Sequence, residues 1–175
     1  ISDTITSNQY SNSFYLIYHS QGVNTMKLKT LALTALLSFA AAPAMAADCA
    51  IDIEANDMMQ FNTKEISVSK SCDEVTINLK HVGNLPKAAM GHNVVVSKAA
   101  DAQAIATEAA AAGPANDYLN KDDERIVAHT DMIGGGETSS TTFKPADLAE
   151  GEEYTFFCTF PGHFAIMKGN IKLVD

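Results

Sequence analysis

A two-sheet β-sandwich with one inserted α-helix is the fold the sequence predicts, and three observations predict it. Short segments alternate apolar and polar residues with a period of two, turn residues separate them, and a single alanine-rich stretch interrupts the pattern. In chain order the strand segments are 51–54, 65–69 and 75–79, the last with Val75, Ile77 and Leu79 on one face. Segments 93–96, 125–129, 139–143, 153–158 and 169–174 follow, giving the roughly eight short strands of a sandwich of this size. Asn84 before Leu85-Pro86, Gly134-Gly135-Gly136 and Glu150-Gly151-Glu152 punctuate them. The triple glycine lacks the lysine and hydroxyl residue of a phosphate cradle, so it reads as a hairpin turn. Residues 99–112 are rich in alanine, carry Asp101 in the first turn and stop at Gly113-Pro114. They predict a helix packed as a flap on the sandwich, with no chemistry of its own.

The sandwich occupies only part of the 175 residues. Residues 1–25 are polar and aromatic without a period and read as upstream leader sequence without function. Residues 26–46 have the composition of a secretory signal: Lys27 and Lys29, an apolar stretch over 31–42, and the cleavage pattern Ala44-Met45-Ala46. The expected mature domain is 47–175, long enough for one core. No stretch reaches the roughly eighteen apolar residues of a membrane span, so a soluble exported protein is expected. Without Lys27, Lys29 and Asp3, the 12 basic and 21 acidic residues become 10 and 20, a net charge of −10. That balance excludes nucleic acid as a partner, because phosphate contacts need clustered lysine and arginine. The mixed run 121–125 reads as a solvated turn.

Chemistry concentrates near the C-terminus, where Cys158, His163 and Met167 lie on one loop bent by Pro161-Gly162. Taken singly, Met167 reads as core filler, Cys158 as an inert buried thiol and His163 as a surface histidine. Their coincidence favours a metal. A thiolate, an imidazole and a thioether suit copper better than zinc, and two histidines with one cysteine and a distant methionine form an electron-transfer site. The missing histidine is best supplied by Gly91-His92-Asn93, although spacing alone does not choose among His81, His92 and His129. The three cysteines leave one odd thiol in an exported chain. Cys49 and Cys72 can pair, leaving Cys158 for a metal; pairing of either with Cys158 would abolish the site.

With Cys-x4-His-x3-Met, the upstream Gly-His-Asn, the early cysteine pair and the helical insert in order, residues 47–175 resemble the azurins of the cupredoxin, or type 1 blue-copper, family. Plastocyanin-type members have a shorter cysteine-to-histidine spacing. The resemblance implies a Greek-key sandwich and one copper ion. His92, Cys158 and His163 match the equatorial ligands, Met167 the weak axial ligand, and Gly91 the glycine whose carbonyl approaches from the other side. It implies a Cys49–Cys72 disulfide, places His81 near the metal but unbound, and puts His129 at a solvated surface; His19 lies in the leader. Asn93 matches a residue that ties the ligand loops together, and the Phe160 amide one that donates to the sulfur. Around His163, the residues Met59, Leu85, Met90, Phe160, Pro161, Gly162 and Ala165 match an apolar docking patch. Val94 stands where some azurins hold a buried tryptophan; the chain has no tryptophan, so its fluorescence should be tyrosine-like.

The function implied is a periplasmic shuttle, not an enzyme, that passes one electron between c-type cytochromes and terminal reductases as a monomer in short-lived complexes. A copper-storage or copper-delivery protein using the same ligands is the nearest alternative. A zinc site would gain little from Met167, and a thiol hydrolase built on Cys158 and His163 lacks an oxyanion-hole signature.

Overall fold

The computed structural model describes residues 48–175. The leader, His19, the signal segment and Ala47 lie outside the described residues. Nine strands occur among the described residues, β1 (Ala50–Asn56), β2 (Gln60–Phe61), β3 (Glu65–Ser69), β4 (Val75–His81), β5 (Val95–Lys98), β6 (Ile126–His129), β7 (Thr138–Phe143), β8 (Tyr154–Phe157) and β9 (Lys168–Val174). They form one sheet in the order β2-β1-β4-β7 and a second in the order β3-β9-β8-β5-β6. β1 pairs with β4 and β3 with β9 in parallel, and the other pairs are antiparallel. All eight expected strands are present. The ninth, β2, is two residues long, too short to show a period.

The alternation has the predicted physical cause in the first sheet. Along β4, Val75, Ile77, Leu79 and His81 are buried, and Ile53 and Ala55 of β1 meet them in the core between the sheets. β5 and β8 behave differently. They read as unbroken runs, Val94-Val95-Val96 and Tyr154–Phe157, because both of their faces are covered. Val96 and Phe156 join the main core, whereas Val95 and Phe157 face a smaller cluster with Ala102, Ile105 and Leu119. Two helices of the α type occur among the described residues, α1 (Lys87–Met90) and α2 (Ala99–Ala112). The expectation for α2 needs correction: it is the lid of a second core as well as a flap. Arg125 in the charge run bonds both Asp123 and Glu108 of α2, so this run clips the helix to the sheet and is more than a solvated turn.

The disulfide joins Cys49 to Cys72 and leaves Cys158 as a buried free thiol. It closes a separation of 23 residues, for which chain entropy gives a contribution of roughly 3 kcal/mol. The double variant Cys49→Ala, Cys72→Ala is therefore expected to lose about that much in urea unfolding. A loss under about 1 kcal/mol would mean that packing alone holds the two ends together.

Candidate metal centre

Two loops at one end of the sandwich carry the donors. The first runs from α1 into β5; Gly91 and His92 sit there, and His92 is fixed by two backbone bonds, its amide to Ile133 O at 3.0 Å and its carbonyl to the Ile133 amide at 2.9 Å. Gly91 has no room for a side chain, since a Cβ would lie 2.7 Å from Lys87 O and 2.9 Å from Met132 Sδ. The second is the β8–β9 connection. The Cys158 amide donates to Met167 O at 3.0 Å and the Met167 amide to His163 O at 2.7 Å, so the turn closes on itself and returns methionine to cysteine. Gly162, at φ 84°, makes the bend that a side chain would oppose.

The loops bring His92, Cys158 and His163 together, all buried, with one donor atom from each within 4.8 Å of the others. Cys158 Sγ is 3.6 Å from His163 Nδ1, 4.0 Å from His92 Nδ1 and 3.9 Å from Gly91 O. Metal bonds of about 2.0–2.3 Å opening at about 120° would separate nitrogen and sulfur by about 3.8 Å. The observed spacings bracket that value, and the donor set fits a copper ion held in a plane. Met167 is fully buried in the same packed cluster as Cys158.

Hydrogen bonds separate the donor histidines from the others. Asn56 O lies 2.9 Å from His92 Nε2; a carbonyl only accepts, so Nε2 carries the proton and Nδ1 presents its lone pair inward. His81 is buried beside His92, but both its nitrogens are occupied. The Gly83 amide donates to Nδ1 at 3.0 Å, and Nε2 faces Met90 O at 3.0 Å. His129 lies on β6, half-buried, with Nδ1 3.2 Å from Thr130 O. It keeps part of its surface in solvent on the edge strand and is not among the clustered donors.

The loops are tied across the site by a reciprocal pair. Asn93 Nδ2 donates to Thr159 Oγ1 at 2.8 Å, and the Thr159 amide donates to Asn93 Oδ1 at 2.9 Å, both side chains being buried. The backbone amides of Asn93 and Phe160 act on Cys158 and favour its thiolate, yet burial outweighs them and pushes the thiol up to about 11. Burial pushes His92 and His163 down to about 4. The site is thus neutral and protonated at sulfur near pH 7. Filling it with copper(II) is expected to release one proton, from Cys158, so apparent affinity should rise tenfold per pH unit between about 5 and 10. Release of no proton, or of two, in a pH-stat titration would contradict this protonation pattern. Without metal the imidazoles carry the opposite sign of the usual histidine linkage: the unfolded chain binds protons that the folded one refuses, so stability falls as pH drops from about 6.5 towards 4.

Of the remaining residues marked by the sequence, Leu85 (41% exposed), Pro161, Gly162 and Ala165 are exposed, and Met59, Met90 and Phe160 are half-buried. Met58 and Ile166, at 67% and 48% exposure, are further exposed apolar residues on the same loops. Sequence reasoning missed Asn56, Thr159 and Asp57, whose carboxylate accepts from the Asn84 and Leu85 amides at 2.8 and 3.2 Å. The polar pair Asn56-Asp57 ending an alternating strand was the available signal, since such residues bond nearby backbone. The cleft lined by Glu108, Ala112, Asn116 and Lys121 lies at the C-terminal end of α2 and takes in none of the donors.

Comparison with known proteins agrees with this geometry. Residues 47–174 match the model of copper binding proteins of the plastocyanin/azurin family. The azurin of Pseudomonas aeruginosa is 56% identical over 146 residues, covering 83% of this chain and 99% of that protein. The azurin of Alcaligenes faecalis is 63% identical over 125 residues, 71% of this chain and 98% of that one. Among solved structures, an azurin (Az-iso2) of the obligate methylotroph Methylomonas sp. strain J aligns with a TM-score of 0.71 at 44% identity, over 74% of this chain and 100% of that one.

Proposed function

Because the chain belongs to the plastocyanin/azurin family of copper-binding proteins, we propose that it is a periplasmic one-electron carrier. In this reading His92, Cys158 and His163 would hold the copper, with the Met167 thioether and the Gly91 carbonyl as weaker donors beside them. The observation that carries it is the buried cluster of one thiol and two inward-facing imidazoles, locked between two loops by Asn93 and Thr159. When bound, copper supplies the Cu(I)/Cu(II) couple. The protein supplies a rigid, dry donor set that neither oxidation state can rearrange freely, so little has to move when an electron arrives. The amides of Asn93 and Phe160 stabilise charge on sulfur, and the carbonyl of Asn56 holds the His92 ring.

The domain that does this is 47–175, released from its leader and signal in export. Met59, Leu85, Met90, Phe160, Pro161, Gly162 and Ala165 form the docking patch around His163, where c-type cytochromes and terminal reductases meet a monomeric carrier briefly. No helix of the described residues is long and apolar enough to cross a membrane. One cluster of three His, Cys, Asp or Glu donors occurs among the described residues, that of His92, Cys158 and His163.

Mixing the copper(II)-loaded protein with a reduced c-type cytochrome in a stopped-flow instrument tests the role. Oxidation of one cytochrome per copper on a millisecond to second scale supports it, and no transfer overturns it. Replacing the thioether that would serve as the weak donor, Met167→Leu, is expected to raise the reduction potential while keeping the protein coloured, because a thioether favours copper(II) more than a methyl group does. A lower potential in voltammetry would contradict that role for Met167.

A further inference from the structure

Helix α2 ends in a loop that holds two consecutive residues, Asp117 and Tyr118, in the left-handed region, with φ of 55° and 51°. Neither is glycine, and such strain persists only where the surroundings enforce it. Here they do. Lys87 and Lys121 reach the Asp117 carboxylate at 3.0 and 3.7 Å, and Leu119 is buried in the small core beneath α2. What the loop presents is the Tyr118 ring, set edge-on against Phe160 with centroids 5.3 Å apart and planes at 69°. Phe160 in turn lies 4.6 Å from the His163 ring.

The two donor histidines are held by different means. His92 is oriented by the bond from Nε2 to Asn56 O. His163 makes no hydrogen bond from its outer nitrogen among the described residues, and its ring is bracketed by Phe160 and, at 5.0 Å, by His92. A ligand imidazole normally takes its orientation from a hydrogen bond at the second nitrogen; here no protein group among the described residues supplies one, and the protein's hold on the outer ring is through its contacts with Phe160 and His92. We infer that Tyr118 is a positioning residue for His163, acting through Phe160, and that the strained loop exists to set it there. The hydroxyl of Tyr118 makes no hydrogen bond among the described residues, so the ring edge carries the effect. The inference deepens the reading of His163 as a copper ligand and gives the helical insert a part in the site.

The test uses Tyr118→Gly and Tyr118→Phe in the full chain. Glycine is at ease at φ 51°, so Tyr118→Gly removes the ring while relieving the backbone, and the variant should fold. In metal-free protein, acylation of His163 by diethyl pyrocarbonate, followed by peptide mass spectrometry, is expected to be about fivefold faster in Tyr118→Gly, the scale of one aromatic pair. Tyr118→Phe should match the parent. In copper-loaded protein the electron paramagnetic resonance spectrum should change for Tyr118→Gly alone. Equal acylation rates in Tyr118→Gly and the parent, or a Tyr118→Phe variant as fast as Tyr118→Gly, would overturn the inference. A parent protein that takes up no copper would instead sink the ligand reading, while the metal-free acylation rates of the three proteins would still decide whether Tyr118 holds the His163 ring.

Discussion

Cys158→Ser is expected to remove the intense visible absorption of the copper-loaded protein altogether. The band requires a soft thiolate on copper, and a serine hydroxyl at this buried position neither ionises near neutral pH nor matches the metal's softness. The sulfur lies 3.6 and 4.0 Å from the two imidazole nitrogens, so its replacement leaves a two-nitrogen remnant in a dry pocket. Copper affinity should fall by more than the roughly 10- to 100-fold typical of losing an outer-shell partner. The fold should survive, because serine is slightly smaller than cysteine and the disulfide lies elsewhere in the chain. An intact blue band in the variant would mean that Cys158 is not a ligand.

Asn93→Leu should produce the largest stability loss of any single substitution around the site. It deletes both bonds between the ligand loops and leaves the Thr159 amide and hydroxyl buried without partners. Each orphaned group costs about 1–3 kcal/mol, so the expected loss is about 4 kcal/mol. Urea unfolding of the metal-free protein measures it without interference from copper. The loops should also part enough to shift the visible band of the loaded variant. A loss below about 1 kcal/mol would show that the Asn93–Thr159 pair is not what holds the two loops together.

Where residues reported their environment by a local pattern, the sequence was readable. Val75, Ile77 and Leu79 alternate because one face of β4 meets the core. Cys158, His163 and Met167 lie on one turn, so their proximity needed no tertiary knowledge. His92 is another matter: it approaches Cys158 across 66 residues, and spacing could not prefer it over His81 or His129. What separates His92 from His81 is the hydrogen-bond partner of each nitrogen, Asn56 O in one case and Gly83 with Met90 in the other. Those partners are backbone groups, and backbone groups leave no trace in residue identity. The resemblance to a known family supplied the choice. Tyr118 was illegible for a related reason, since its role depends on the backbone angle at which a loop after α2 presents its ring. The second core under α2 was underestimated because alanine offers little area per residue, and its burial of Val95 and Phe157 follows only from how the helix crosses the sheet.

Whether a copper ion held by His92, Cys158 and His163 cycles by one electron is tested most directly by a visible absorption spectrum of the purified protein. Copper(II) is added, then one equivalent of a mild reductant, then oxidant. An intense blue band should appear with one copper per chain, bleach with one electron and return on reoxidation. A protein that binds one copper per chain yet stays colourless as copper(II) would contradict the assignment.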